Sequence, residues 1–245
     1  MTDPEQQRRS ALVFGARNLG KAIIELLVGA GWSVAGVARS QETLQGVTDA
    51  GALALQADVT DQASVRAAIA QTVGAHGQID LVVNAASAYG GTRSGPFGGG
   101  PMAEANADAF DSWAAAPARS AFSFLSGAAG YLVQQQTTAT LIQVTGGSAR
   151  RAMPGRGLWA AGAFGVRAIT QAAALELRPQ GIHVALLIVD AGIEPLSGAT
   201  RAAASRAALA DPRGLADAVL YLAEQGPRAA THELQVTPLA ETWVP

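Results

Sequence analysis

From Ala11 onward, short apolar runs alternate with longer segments whose apolar residues recur at helical spacing. Two parallel strands need a connection of about a dozen residues or more, usually a helix, so this alternation restricts the chain to a doubly wound parallel sheet covered on both faces. The strand-like runs are ALVFGA, SVAGVA, ALALQA, IDLVVNA, ATLIQVT, GIHVALLIV and HELQV. The helix-patterned segments are LGKAIIELLVGAG, Asp61 to Ala75, Ala107 to Gln135, Leu158 to Arg178 and LADAVLYLAEQ. The expected architecture is α/β, with about seven strands in the order 3-2-1-4-5-6-7 and ligands held beyond their carboxyl ends. With 245 residues and no internal repeat, the chain reads as one domain over 1–245, with tails at 1–9 and 238–245.

Charged residues are only 15% of the chain against 49% hydrophobic, so disorder is expected only near the start and in the loop GGTRSGPFGGGP. A net charge of −2 argues against nucleic acid or an anionic membrane as a partner. The chain has no cysteine, which excludes disulfide and thiol chemistry. The apolar stretch AIIELLVGA contains Glu25 and is too short to span a bilayer, and MTDPEQQRRS has no apolar run, so a cytoplasmic location is expected. His76, His183 and His232 are scattered, without metal or triad spacing, and structural roles are expected for each.

Two stretches carry functional information. The first is Gly15, Ala16, Arg17, Asn18, Leu19, Gly20, at the turn from the first strand into the first helix, where helix N-terminal amides could meet a phosphate. The second is Leu141 to Arg167, a strand, a loop and a helix start. In layout these resemble the short-chain dehydrogenase/reductase family, with its Rossmann-like dinucleotide-binding domain. The resemblance implies a cofactor site at Gly15, Arg17, Asn18, Leu19 and Gly20, in a loop one residue shorter than the family's, with Asn18 at the place of the middle glycine. It adds Asp58 and Val59 beside the adenine, and Asn84, Ala85 and Ala86, followed by Ser87, after the fourth strand. No acid stands at Ala38 to hold a free ribose 2′-hydroxyl, whereas Arg39 and Arg17 could hold a 2′-phosphate, so NADP(H) is favoured over NAD(H).

The family's catalytic residues do not carry over. Its asparagine, serine, tyrosine and lysine positions fall on Pro117, Gly146, Trp159 and Ala163. Trp159 and Ala163 are four apart and so share a helix face. An indole N–H donates a hydrogen bond but does not ionise near neutral pH, so Trp159 is no general acid or base. Pro117 within a helix removes one backbone bond, and a kink is expected there. Val189 and Asp190 stand where the family has a proline-glycine turn facing the nicotinamide.

Thr145, Ser148, Arg150 and Trp159 are candidate substrate-pocket residues, with Arg151 and Arg156 nearby and Tyr89 and Arg93 in the covering loop; a solvated basic loop is the competing reading. The resemblance implies an NADP(H)-binding oxidoreductase homologue with an atypical site, unable to reduce carbonyls by the tyrosine-lysine route. The alternatives are a silent dinucleotide sensor or oligomeric support subunit, and a non-redox cyclase or isomerase. It also implies a small-molecule ligand and a homo-oligomer, dimer or tetramer, built through the two long helices.

Overall fold

The computed structural model describes residues 8–86, 95–196 and 206–241. The first strand, β1 (Ser10–Phe14), is buried at every position because helices cover both of its faces. It is followed by α1 (Leu19–Gly29), β2 (Ser33–Ala38), α2 (Gln41–Asp49), β3 (Leu53–Gln56), α3 (Gln62–His76) and β4 (Leu81–Asn84). The second half contains α4 (Ala107–Phe110), a π-helical turn (Asp111–Ala115), α5 (Ala116–Gln134), β5 (Thr140–Gly146), α6 (Gly157–Leu177) and β6 (His183–Val189). Two short strands, β7 (Gly192–Ile193) and β8 (Leu209–Ala210), pair with each other before α7 (Pro212–Ala223) and β9 (Glu233–Val236).

The main sheet has seven strands in the order β3-β2-β1-β4-β5-β6-β9, and every pairing is parallel. This is the order expected from the alternation, β9 being the seventh strand. The order reverses between β1 and β4, which opens a crevice beyond their carboxyl ends. Ile23, Leu27, Leu215 and Val219 fill one face of the sheet, and Val65, Ile69, Phe124 and Leu177 the other. No helix among the described residues is long and apolar enough to cross a membrane.

One helix lies outside the sequence reading, and another has more detail than it gave. Helix α2 was not expected, because its apolar anchors are only Leu44 and Val47; Ser40 starts it by accepting a hydrogen bond from the Thr43 amide. The long helix expected over Ala107 to Gln135 is present as α4, the π turn and α5 in one continuous run of right-handed helical backbone. Pro117 follows closely on the π turn, and that turn takes up the interruption its missing N–H makes in the ladder. The carbonyl of Trp113, four residues before the proline, faces α6 so closely that a Cβ on Gly162 would lie 2.6 Å from it. At the ends of the described residues, Arg9 donates to Glu224 at 2.9 Å and stacks 4.2 Å from the Trp32 ring, and Glu241 reaches Arg151.

Candidate functional site

The turn between β1 and α1 is built by steric need. Gly15 has φ +84°, and a Cβ there would lie 2.5 Å from the backbone of Ala86. A Cβ on Gly20 would meet the Gly15 carbonyl. Both glycines therefore close the turn against β4 and against itself, and the amides of Gly15 and Ala16 donate to Val37 O at 3.0 and 3.1 Å. Leu19 is buried beneath the turn and Arg17 is exposed above it. Asn18 occupies the N-cap position of α1 but makes no side-chain cap. Its amide instead donates to Glu194 O at 3.1 Å and accepts from Leu196 N at 2.9 Å.

At the adjoining strand ends, Arg39 is exposed and lies 4.0 Å from the Asp58 carboxylate. Asp58 also accepts from the amide and hydroxyl of Thr60, at 2.9 and 2.8 Å, while Val59 is buried. Asn84 is buried too, and both ends of its amide are used: Nδ2 donates to Gln143 Oε1 at 2.9 Å and Oδ1 accepts from Ala86 N at 3.1 Å. This side chain fixes the β4 turn and leaves Ala85 and Ala86 lining the crevice. The residues read as cofactor-binding thus share one end of the sheet, with two exposed guanidiniums on its β2 side. Ser87, Tyr89 and Arg93 lie outside the described residues.

Gly146 and Trp159, two of the positions found by counting, lie side by side. A Cβ on Gly146, at the end of β5, would lie 3.4 Å from Cζ2 of Trp159. Ala163 is buried one turn further along α6. The space is occupied by aromatic rings: Phe97 packs edge-to-face on Trp159 at 4.6 Å and on Trp113 at 5.2 Å, and the Arg156 guanidinium lies 5.2 Å from the Phe97 ring. Phe97 comes from a glycine-rich turn that must lie flat, since a Cβ on Gly98 or Gly99 would strike Arg156 or Leu158. The sequence reading missed Phe97 and Trp113, because both reach the site from segments far from β5.

The basic loop after β5 is tied inward. Arg150 donates to Glu233 at 3.1 Å, and Arg167 forms a two-pronged pair with the same carboxylate at 2.7 and 2.9 Å. Arg151 pairs with Asp190 at 3.5 Å. Thr145 continues β5 opposite Ile188, and Ser148 is buried in a short 3-10 turn. Arg150 is therefore held by β9, and its charge serves that tie. Burial alone would raise the Glu233 pKa, but hydrogen bonds from Arg167 and Gln171 outweigh it and hold the carboxyl below its ordinary 4.5. A lowered folded pKa means stability that is present above 4.5 and lost as pH falls through the folded value. Glu233→Gln should cost about 2 kcal/mol at pH 7, less than a fully buried pair because all partners are partly wet. Thermal melts from pH 7 to pH 3 should show the gap to wild type closing on the acid side; a constant gap would contradict this electrostatic role.

Asp190 was not foreseen as a contact. Its carboxylate sits over Gly147, where a Cβ would collide with it. Burial raises its pKa, Arg151 lowers it and Glu241 raises it, leaving it above the ordinary value. His76, His183 and His232 bond to Ser10 Oγ, Thr231 O and Val184 O, and no metal-binding cluster occurs among the described residues. A cavity of about 380 Å³ lies at the opposite, amino end of the strands, lined by Trp32, Ser33, Leu53 and His76, away from Gly15, Gly146 and Trp159.

Residues 9–194 match the family model for short chain dehydrogenase. The chain belongs to the short-chain dehydrogenase family. It is similar to an alcohol dehydrogenase from the archaeon Thermococcus sibiricus, complexed with 5-hydroxy-NADP, at 20% identity and a TM-score of 0.78, covering 97% of this chain and 99% of that one. A short-chain dehydrogenase/reductase from Serratia marcescens matches at 24% identity and 0.75, covering 95% and 97%. A 3-ketoacyl-(acyl-carrier-protein) reductase from Brucella melitensis, complexed with NADH, matches at 23% and 0.77, covering 94% and 97%. No curated protein matches the chain.

Proposed function

We propose that this protein is a short-chain dehydrogenase homologue that holds NADP(H) in preference to NAD(H) and does not reduce carbonyls by tyrosine-lysine chemistry. The observation that carries the reading is the indole of Trp159 packed between Gly146 and Phe97, with buried Ala163 one turn away. A bound nicotinamide supplies or accepts hydride. Beside it, Gly146, Trp159 and Ala163 offer a hydrogen-bond donor in the indole but no group that exchanges a proton near neutral pH. Chemistry open to such a site is hydride transfer to an activated double bond or iminium, with the proton drawn from water. The ring-filled catalytic position favours a second reading, a silent dinucleotide-binding or support subunit.

The glycine turn, exposed Arg17 and Arg39, and the Asp58-Val59 corner fit the adenosine end of a phosphorylated dinucleotide. Solved relatives in complex with NADP or NADH support the same reading. Helices α5 and α6 also expose Phe122, Phe164 and Leu175, an apolar surface that suits assembly with a second copy. Calorimetric titration of the full chain should show NADPH binding more tightly than NADH, and Arg39→Ala should shrink that ratio by about tenfold through loss of a charged phosphate contact. Equal affinity for the two cofactors in wild type would overturn the preference.

A further inference from the structure

Asn18 behaves unlike the other residues that open helices in this fold. Ser40, Asp61, Asn106 and Asp211 each turn a side-chain oxygen onto the amides of their own first turn. Asn18 leaves its own helix uncapped and spends both ends of its amide on the backbone of Glu194 and Leu196. The partner segment is itself braced, because Glu194 pairs with Arg206 at 2.6 Å and its amide donates to Ala210 O at 2.9 Å. The result is a bridge across the first turn of α1, where the amides that would receive a pyrophosphate begin. Glu194 also brings a carboxylate, half-buried, to that crossing.

We propose that Asn18 is a latch across the pyrophosphate section of the groove, and that the latched protein selects the adenosine-phosphate half of a dinucleotide over the whole molecule. This rests on the dinucleotide reading above. Arg17 and Arg39 are exposed and take no part in the bridge's hydrogen bonds, so an adenosine bearing a 2′-phosphate is to meet them without disturbing it. A full dinucleotide has to pass under the segment from Glu194 to Leu196 and must break both hydrogen bonds. It then meets a nicotinamide end lined by the Trp159 and Phe97 rings. What the two halves would gain together is therefore spent on opening the latch.

The test is calorimetric titration of the full chain with NADP+ and with adenosine 2′,5′-bisphosphate. Wild type should bind the two within about threefold of each other. Asn18→Gly and Asn18→Ala should each tighten NADP+ by about tenfold, as expected for removing two modest hydrogen bonds, and leave the bisphosphate within about twofold. Wild type preferring NADP+ by more than about tenfold would overturn the latch, as would folded variants whose NADP+ affinity is unchanged or weaker. Asn18→Ala carries the test if the glycine variant does not fold, and the wild-type comparison needs no variant. Binding of neither ligand by folded wild type removes the dinucleotide reading itself, whereas binding without the gain in the variants removes the latch alone.

Discussion

Gly147→Ala should destabilise the protein by about 3 kcal/mol, lowering the melting temperature by roughly 6–12 °C for a chain of this size. The backbone of Gly147 is not in a left-handed conformation, so the cost is steric and local. A methyl there falls on the Asp190 carboxylate and 2.8 Å from its Cβ, so rotating the side chain away does not clear the contact. Asp190 is also confined, being buried, paired with Arg151 at 3.5 Å and hydrogen-bonded by Gln235 at 3.4 Å. Moving it breaks the pair with Arg151. The same contact predicts a rescue, because Asp190→Gly makes the space that the methyl needs. Melts of the two single variants and the double variant form a cycle, and a coupling of about 2 kcal/mol or more is expected for residues in direct contact. Independent effects would show that Asp190 does not rest on Gly147.

The strand order was legible because one period governed the whole chain, and seven apolar runs separated by helix-length segments admit few other arrangements. What escaped was set by features without a period of their own. Helix α2 has only Leu44 and Val47 to mark it. Pro117 announces a missing donor, but how the hydrogen-bond ladder rearranges around it depends on Gly162 from another helix. At the site, Gly146, Trp159 and Ala163 could be located by counting, since a strand end and a helix face fix their relation. Their neighbours could not: Phe97 arrives from the far side of α4 and α5, and Arg150 finds Glu233 through the pairing of β6 with β9. Asn18 was read as a stand-in for glycine on its tolerance of unusual backbone angles. Its side chain proves to matter more, through partners near the other end of the chain.

These long-range contacts bear on chemistry in one direction. Where a serine or tyrosine is missing from an expected position, a group from elsewhere in the chain could stand in, and the described residues show which side chains reach Gly146 and Trp159. Around Gly146 and Trp159 the arrivals are Phe97 and Trp113, with Arg156 over the outer ring. The nearby arginines of the basic loop are paired to Glu233 and Asp190. The rings do not ionise near neutral pH, and the arginines are engaged in these pairs. Removing a general acid alone typically slows a reaction by about 10² to 10⁴, and under the proposal above the positions that would orient and tune that acid hold Gly146 and Ala163.

The most direct measurement is NADPH oxidation by purified protein, at a cofactor concentration where binding is saturated, against a broad panel of aldehydes and ketones. The account predicts saturable NADPH binding with no carbonyl-dependent oxidation above the rate without protein. Turnover of any panel member at an ordinary enzymatic rate, on the order of 1 s⁻¹ or faster, would contradict it.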